Sequence, residues 1–190
     1  ITRRALAAST NFIFPIWREV YLWLGYVDAS KKSAQNVLQQ GHSFFVLVGG
    51  EQEMIKAKPN ENILCLRNRK GFVRLALESG AHLVPVFAFR ANDCYSPLYG
   101  LERLNKFLSK KYRIVLPVVY GVWGTPFPRK VPVDVVVGEP IPVEKKENYT
   151  AEDVDALHDE YITRLIQLYE NYKDKYGSSD RKLIIVDAEQ

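Results

Sequence analysis

Cysteine is scarce in this 190-residue chain, which carries only Cys65 and Cys94. Two thiols are too few for a disulfide scaffold, so a reducing compartment is the expected setting. They also lack companion ligands at metal spacing, so no metal site is expected. Histidine is nearly as rare. His42, His82 and His158 are scattered, and each reads as structural or exposed rather than as a general base. No run of about 18 apolar residues occurs, so no segment is long enough to cross a bilayer. The G-x-S-x-G, P-loop, H-E-x-x-H and G-x-G-x-x-G signatures are all missing. The charge surplus is small as well. Twenty-six basic residues stand against 22 acidic ones, a net +4, and this does not by itself imply nucleic acid. With 47% apolar and 25% charged residues, the composition excludes disorder and fits one ordinary domain.

What is present alternates between helical and strand patterns. Asn11 to Val27 has Pro15 at a helix start and Gly25 at its end, with Phe14, Trp17, Val20, Tyr21 and Leu24 at helical spacing. The aromatic density of Trp17, Tyr21, Trp23 and Tyr26 suits a lipid interface; the alternative is an ordinary amphipathic core helix. Ser30 is placed to cap a short helix ending at Gly41. Ser43 to Val48 is a continuous apolar run, expected to be a buried parallel strand. Ile63 to Leu66 reads as a strand and Arg69 to Ser79 as a helix capped by Asn68 and closed by Gly80. Leu83 to Phe89 reads as a strand in which Pro85 marks a bulge or the start. Leu101 to Lys111 reads as a basic amphipathic helix, and Arg113 to Tyr120 and Val131 to Val137 as strands. A final helix is capped by Thr150 with Asp153 three residues on. Its apolar stripe is Val154, Leu157, Tyr161, Leu165, Leu168 and Tyr172, and Gly177 closes it. The expected class is α/β, a mixed, mostly parallel sheet flanked by helices. One domain spans residues 1–177, followed by a tail over 178–190.

Two features could carry chemistry. Between Lys56 and Arg74 lie six basic residues and one acid, Glu61, and the cluster runs into a helix start at Arg69-Lys70-Gly71. Backbone N–H groups there, with Arg and Lys beside them, suit a phosphate-bearing ligand; a solvated basic face is the plain alternative. No aromatic residues interleave these cations at a recognisable spacing, so nucleic acid is not expected as a partner. The second feature is the glycine turn after Val48. Gly49 and Gly50 are followed by Glu51 and Glu53, acids that could accept a hydrogen bond from a substrate hydroxyl or hold a basic side chain.

At these residues the chain resembles a known family. Val48 to Glu53 (VGGEQE), Leu66 to Leu77 (LRNRKGFVRLAL), Leu83 to Phe89 with Asn92-Asp93, and Val135 to Val143 (VVVGEPIPV) occur in that order. Together they resemble the second family of acyl-CoA:diacylglycerol acyltransferases and its monoacylglycerol and wax-ester relatives, within the glycerolipid acyltransferase superfamily. The likeness runs from about Asn11 to about Gly177. It implies a glycerolipid-acyltransferase-like fold and transfer of an acyl group from acyl-CoA, as co-substrate and with no cofactor, to a glycerolipid hydroxyl. Diacylglycerol is the first candidate acceptor, and a non-catalytic lipid-surface module is the alternative function. It further implies the cytosolic face of the endoplasmic reticulum membrane, with lipid droplets as a second location.

The residues that match the family's blocks are Gly49, Gly50 and Glu53; Arg69, Lys70, Gly71 and Phe72; Pro85; and Asn92. Glu53 would position the acceptor or a catalytic histidine. Arg69 and Lys70 would engage CoA phosphates, with an Arg69–Glu53 pair as the structural alternative. The family's general base sits in a His-Pro-His-Gly block after a membrane hairpin, upstream of the matching region. Neither occurs here, so the chain is expected to be a C-terminal portion, inactive alone, whose membrane contact comes from that hairpin and from the Trp17–Tyr26 segment. Arg90 stands where the family usually has Gly, and Gly121-Val122 where many members have Gly-Arg; both touch acceptor identity.

Overall fold

The computed structural model of the chain describes residues 3–13, 15–49, 53, 61–97, 119–125 and 127–187. In chain order the elements are β1 (Arg3–Ala7), α1 (Pro15–Trp23), β2 (Tyr26–Asp28), α2 (Lys31–Gln39), β3 (Ser43–Phe45), β4 (Asn62–Cys65), α3 (Gly71–Ser79), β5 (Val86–Phe89), β6 (Ser96–Pro97), β7 (Val119–Tyr120), β8 (Asp134–Val137), α4 (Ala151–Tyr172) and β9 (Leu183–Val186). The alternation is that of the α/β class. Pairing is mixed: β2-β1-β3 and β4-β9 are parallel, while β5-β8 and β6-β7 are antiparallel. Among the described residues these are separate small sheets, not one continuous sheet. The expected helix over 101–111 and most of the strand over 113–120 lie outside the described residues; only Val119–Tyr120 is seen, as β7.

α4 is the spine. Its start is the expected capping box: Asp153 N donates to Thr150 Oγ1 at 3.2 Å and Thr150 N donates to Asp153 Oδ2 at 2.9 Å. Its inner face holds Val154, His158, Leu165, Leu168 and Tyr169. Tyr169 is the fully buried tyrosine, its ring set against Phe87 and Phe89 of β5, while the expected Tyr172 is 36% exposed. One half of α4 packs with Leu66, Phe87 and Phe89, the other with Val73, Ala76, Leu77 and Val143. Phe72 touches both clusters.

The segment read as a tail is structural. Leu183–Val186 pairs in parallel with β4, Asn62 opposite Leu183 and Cys65 opposite Val186. This strand is a four-residue apolar run, LIIV, that follows the helix-closing Gly177. Tyr169 locks this return in place. Its hydroxyl accepts from Asn62 Nδ2 at 3.0 Å and donates to Arg181 O at 2.8 Å. Arg181 in turn holds Asp93 at 2.8 Å.

Other expectations shift at their edges. Ser43 to Val48 forms only the short β3, on the edge of its sheet, with Phe45 and Leu47 exposed. An apolar run therefore did not mean burial on both faces. α3 begins at Gly71, with Lys70 at its N-cap and no side-chain cap. Asn68 sits too early, in the turn closed by Arg69 N donating to Leu66 O at 3.0 Å. Ser30 and Gly80 cap as expected. Pro85 precedes β5, where its lack of an N–H costs no ladder bond, and its carbonyl accepts from Gly138 N at 2.8 Å. α1 presents two faces. Tyr21 packs on Phe12 and Tyr26, while Ile16 and Trp23 are 81% and 83% exposed.

Tyr169→Phe should lower unfolding free energy by about 1–3 kcal/mol, since it removes the hydroxyl that accepts from the buried Asn62 amide and donates to Arg181 O. Denaturant melts would measure this, and an unchanged midpoint would remove Tyr169 as the clasp of β9.

Candidate functional site

The chain leaves β3 toward Gly49, which is buried. A Cβ on Gly49 would stand 1.7 Å from Glu53 Oε1 and 1.9 Å from its Cδ. The Glu53 carboxyl therefore lies directly on the bare Cα of Gly49. From there its Oε1 accepts the Cys65 backbone N–H at 3.0 Å. The next N–H, of Leu66, goes to Val186 O of β9. Successive N–H groups of a strand point to opposite edges, so Glu53 caps the edge of β4 away from β9. Among the described residues its Oε2 makes no hydrogen bond.

Just past β4 the chain turns into the basic block. Leu66 O accepts from Arg69 N at 3.0 Å and meets His158 Nε2 at 3.1 Å. Phe72, in the first turn of α3, packs edge-on against Tyr161 with ring centroids 5.0 Å apart, and lies 6.0 Å from the His158 ring. Gly49, Glu53, Cys65, Arg69, Phe72, His158 and Tyr161 thus converge where the end of β4, the start of α3 and the middle of α4 meet.

The electrostatics follow from burial. Loss of water raises the Glu53 carboxyl above its ordinary 4.5, opposed by the Cys65 N–H and by the positive charge of Arg69. Burial, with the nearby Glu53 charge, pushes the Tyr161 phenol up to about 12. Burial lowers His158, so its imidazole stays neutral, consistent with an N–H donated to Leu66 O.

The basic pair divides. Arg69 is exposed and its charge reaches Glu53. Lys70 Nζ instead holds Asp155 of α4 at 2.6 Å, so a phosphate would have to compete with that carboxylate. Gly71 opens α3 with open space around its Cα. Pro85 and Asn92 belong elsewhere. Pro85 packs beside Gly138, and Asn92 is exposed in the turn Ala91–Cys94, after Arg90 in its left-handed conformation (φ 62°). Gly50 and Glu51 lie outside the described residues. No group of three His, Cys, Asp or Glu placed for a metal occurs among the described residues. From sequence Tyr161 is legible only as part of the core stripe; its spacing gives the face and nothing of the carboxyl whose charge reaches it.

Comparison with known proteins gives the family. A family model described as diacylglycerol acyltransferase matches residues 2–186. The chain is 35% identical to 2-acylglycerol O-acyltransferase 1 of Mus musculus, over 94% of this chain and 57% of that protein. It is 37% identical to diacylglycerol O-acyltransferase 1 of Saccharomyces cerevisiae, over 93% and 45%. It is 32% identical to diacylglycerol O-acyltransferase 2 of Homo sapiens, over 93% and 49%. The chain spans about half the length of the curated relatives it matches. No solved structure matches. The chain belongs to the diacylglycerol acyltransferase family.

Proposed function

We propose that this chain serves an acyl-CoA-dependent O-acyltransferase that acylates a glycerolipid hydroxyl, with diacylglycerol as acceptor and triacylglycerol as product. The observation that carries the reading is the Glu53 carboxyl, half-buried on Gly49 and beside Arg69. Family membership supports the reaction class. In this reading the acceptor hydroxyl loses its proton to a base as its oxygen attacks the thioester carbonyl. The C–S bond then breaks and CoA leaves as the thiol. Glu53 orients the acceptor or the base through Oε2, and Arg69 contacts a CoA phosphate.

The base comes from outside these 190 residues. Support lies in how the chain's own histidines are engaged. His158 is buried against Leu66 O, His82 Nδ1 accepts from Val143 N at 3.1 Å, and His42 is half-buried before β3. The fold in this reading is glycerolipid-acyltransferase-like, and the setting is the cytosolic face of the endoplasmic reticulum membrane and lipid droplets. The exposed Ile16 and Trp23 of α1 support a lipid contact there.

The direct test is acyl transfer by the complete protein in microsomes, with labelled acyl-CoA and a panel of acceptors. Labelled triacylglycerol from diacylglycerol is expected. Label in no glycerolipid ester would overturn the reading.

Glu53→Gln separates chemistry from folding. A carboxyl whose folded pKa is raised contributes stability that is full below its unfolded value and is lost as pH rises through the folded one. Gln mimics the protonated form and still accepts from Cys65. The variant should therefore be at least as stable as the parent at neutral pH, an advantage that vanishes below about pH 4. Its turnover should fall at least about tenfold. Parallel losses of melting temperature and turnover would leave Glu53 a purely structural role.

Arg69→Ala should raise the Michaelis constant for acyl-CoA roughly tenfold or more, the weight of one charge-assisted hydrogen bond, and leave that for the acceptor nearly unchanged. Lys70→Ala should do less, because its amino group is already held by Asp155 in a partly exposed pair worth about 0–1 kcal/mol. A larger effect at Lys70 than at Arg69 would reverse the assignment.

A further inference from the structure

The loop Gly121–Pro128 holds its most apolar side chains away from the protein. Trp123 is 96% exposed and Phe127 is 73% exposed. This is not slack chain. Gly121 N donates to Thr125 O at 2.7 Å, Val122 N to Phe127 O at 2.9 Å, and Thr125 N to Val122 O at 3.0 Å. Thr125 Oγ1 adds a bond to Val122 O at 2.7 Å. The crossing is so close that a Cβ on Gly121 would stand 1.8 Å from Phe127 O. The base is anchored too. Arg129 N donates to Cys94 O at 2.9 Å, Arg129 Nη1 to Ser96 Oγ at 2.8 Å, and its guanidinium lies 5.6 Å over the Tyr120 ring.

Within this cross-linked loop Trp123 adopts a left-handed backbone, φ 52° and ψ 29°. That conformation is strained for an aromatic residue and free for glycine. A tryptophan that is strained and 96% exposed buries almost none of its surface among the described residues, which points to a contact beyond them.

We propose that this loop is a rigid lipid-contacting tip that places Trp123 and Phe127 in the headgroup boundary of an anionic membrane. Two observations select lipid over protein. The first is size. Two aromatic side chains bury roughly 150–250 Å² each, well short of the roughly 800 Å² per partner of a stable protein interface. Insertion into lipid needs no complementary surface. The second is charge. Among the described residues from Tyr120 to Val133 the charged side chains are Arg129 and Lys130, with no acid. Such a pair favours anionic headgroups, while tryptophan prefers the boundary itself. The inference does not depend on the acyl-transfer reading, and its test uses no acyl donor or acceptor.

The chain is titrated with vesicles of phosphatidylcholine mixed with phosphatidylserine. Trp123→Gly removes the aromatic group and the backbone strain together. Its melting temperature should rise while its partition onto vesicles falls at least about tenfold, the weight of one large side chain withdrawn from lipid. A role confined to the fold would move both in the same direction. In a second variant, Trp17→Phe with Trp23→Phe, Trp123 is the only tryptophan. Its emission should shift to the blue on vesicle addition and be quenched by brominated lipid. Unchanged partition of Trp123→Gly, an unshifted emission or no vesicle binding by the parent chain would each overturn the proposal. A smaller solution mass for Trp123→Gly than for the parent would overturn it in favour of self-association.

Discussion

The hydrogen bond from Cys65 N–H to Glu53 Oε1 exists only because Gly49 has no side chain. A carboxyl lying on a bare Cα can reach the edge of β4; with any Cβ at position 49 it would have to withdraw. That bond fixes the glycine turn against β4, and β4 leads into the turn closed by Arg69 and into α3. Phe72 then carries the geometry onward to Tyr161 and His158 of α4. Three stretches far apart in sequence are thus held around one acid. Losing the glycine would therefore act on the helix contacts as well as on the turn.

The legible parts of the fold were those whose signals are local. Thr150 and Asp153 state a helix start in four residues, and both reciprocal bonds form. Ser30 and Gly80 likewise cap by their own chemistry. Signals that depend on partners misled. Ser43 to Val48 is apolar throughout, yet it lies at a sheet edge, because hydrophobicity does not say which neighbours a strand finds. β9 shows the reverse. Its pairing with β4 joins residues about 120 positions apart, and nothing near Leu183 announces that a strand is waiting for it.

The candidate site divides the same way. The glycine–acid spacing pointed to Gly49 and Glu53 because a carboxyl on a glycine turn is a local pattern. The basic block was visible, but not how it splits. Arg69 faces outward with its charge acting on Glu53, while Lys70 turns to Asp155, a residue on a helix 85 positions away. Pro85 and Asn92 matched motif positions, yet they serve the packing on Gly138 and an exposed turn beside Arg90. A motif records which residues recur together, and only folding decides which of them meet.

The groups around Glu53 differ in how burial affects their protons. Tyr161, pushed to about 12, keeps its phenolic proton throughout the physiological range and can only donate from it. His158 is neutral and committed to Leu66 O. Lys70 spends its charge on Asp155. Of the groups gathered here, Glu53 alone is moved by burial toward the pH at which a proton can come and go, while Arg69 limits how far. A half-buried acid on a glycine turn carries a desolvation cost, and an amide of the same shape would fold as well. In the function proposed above, the carboxyl has a proton-bearing partner to orient, the demand that attack by an acceptor hydroxyl imposes.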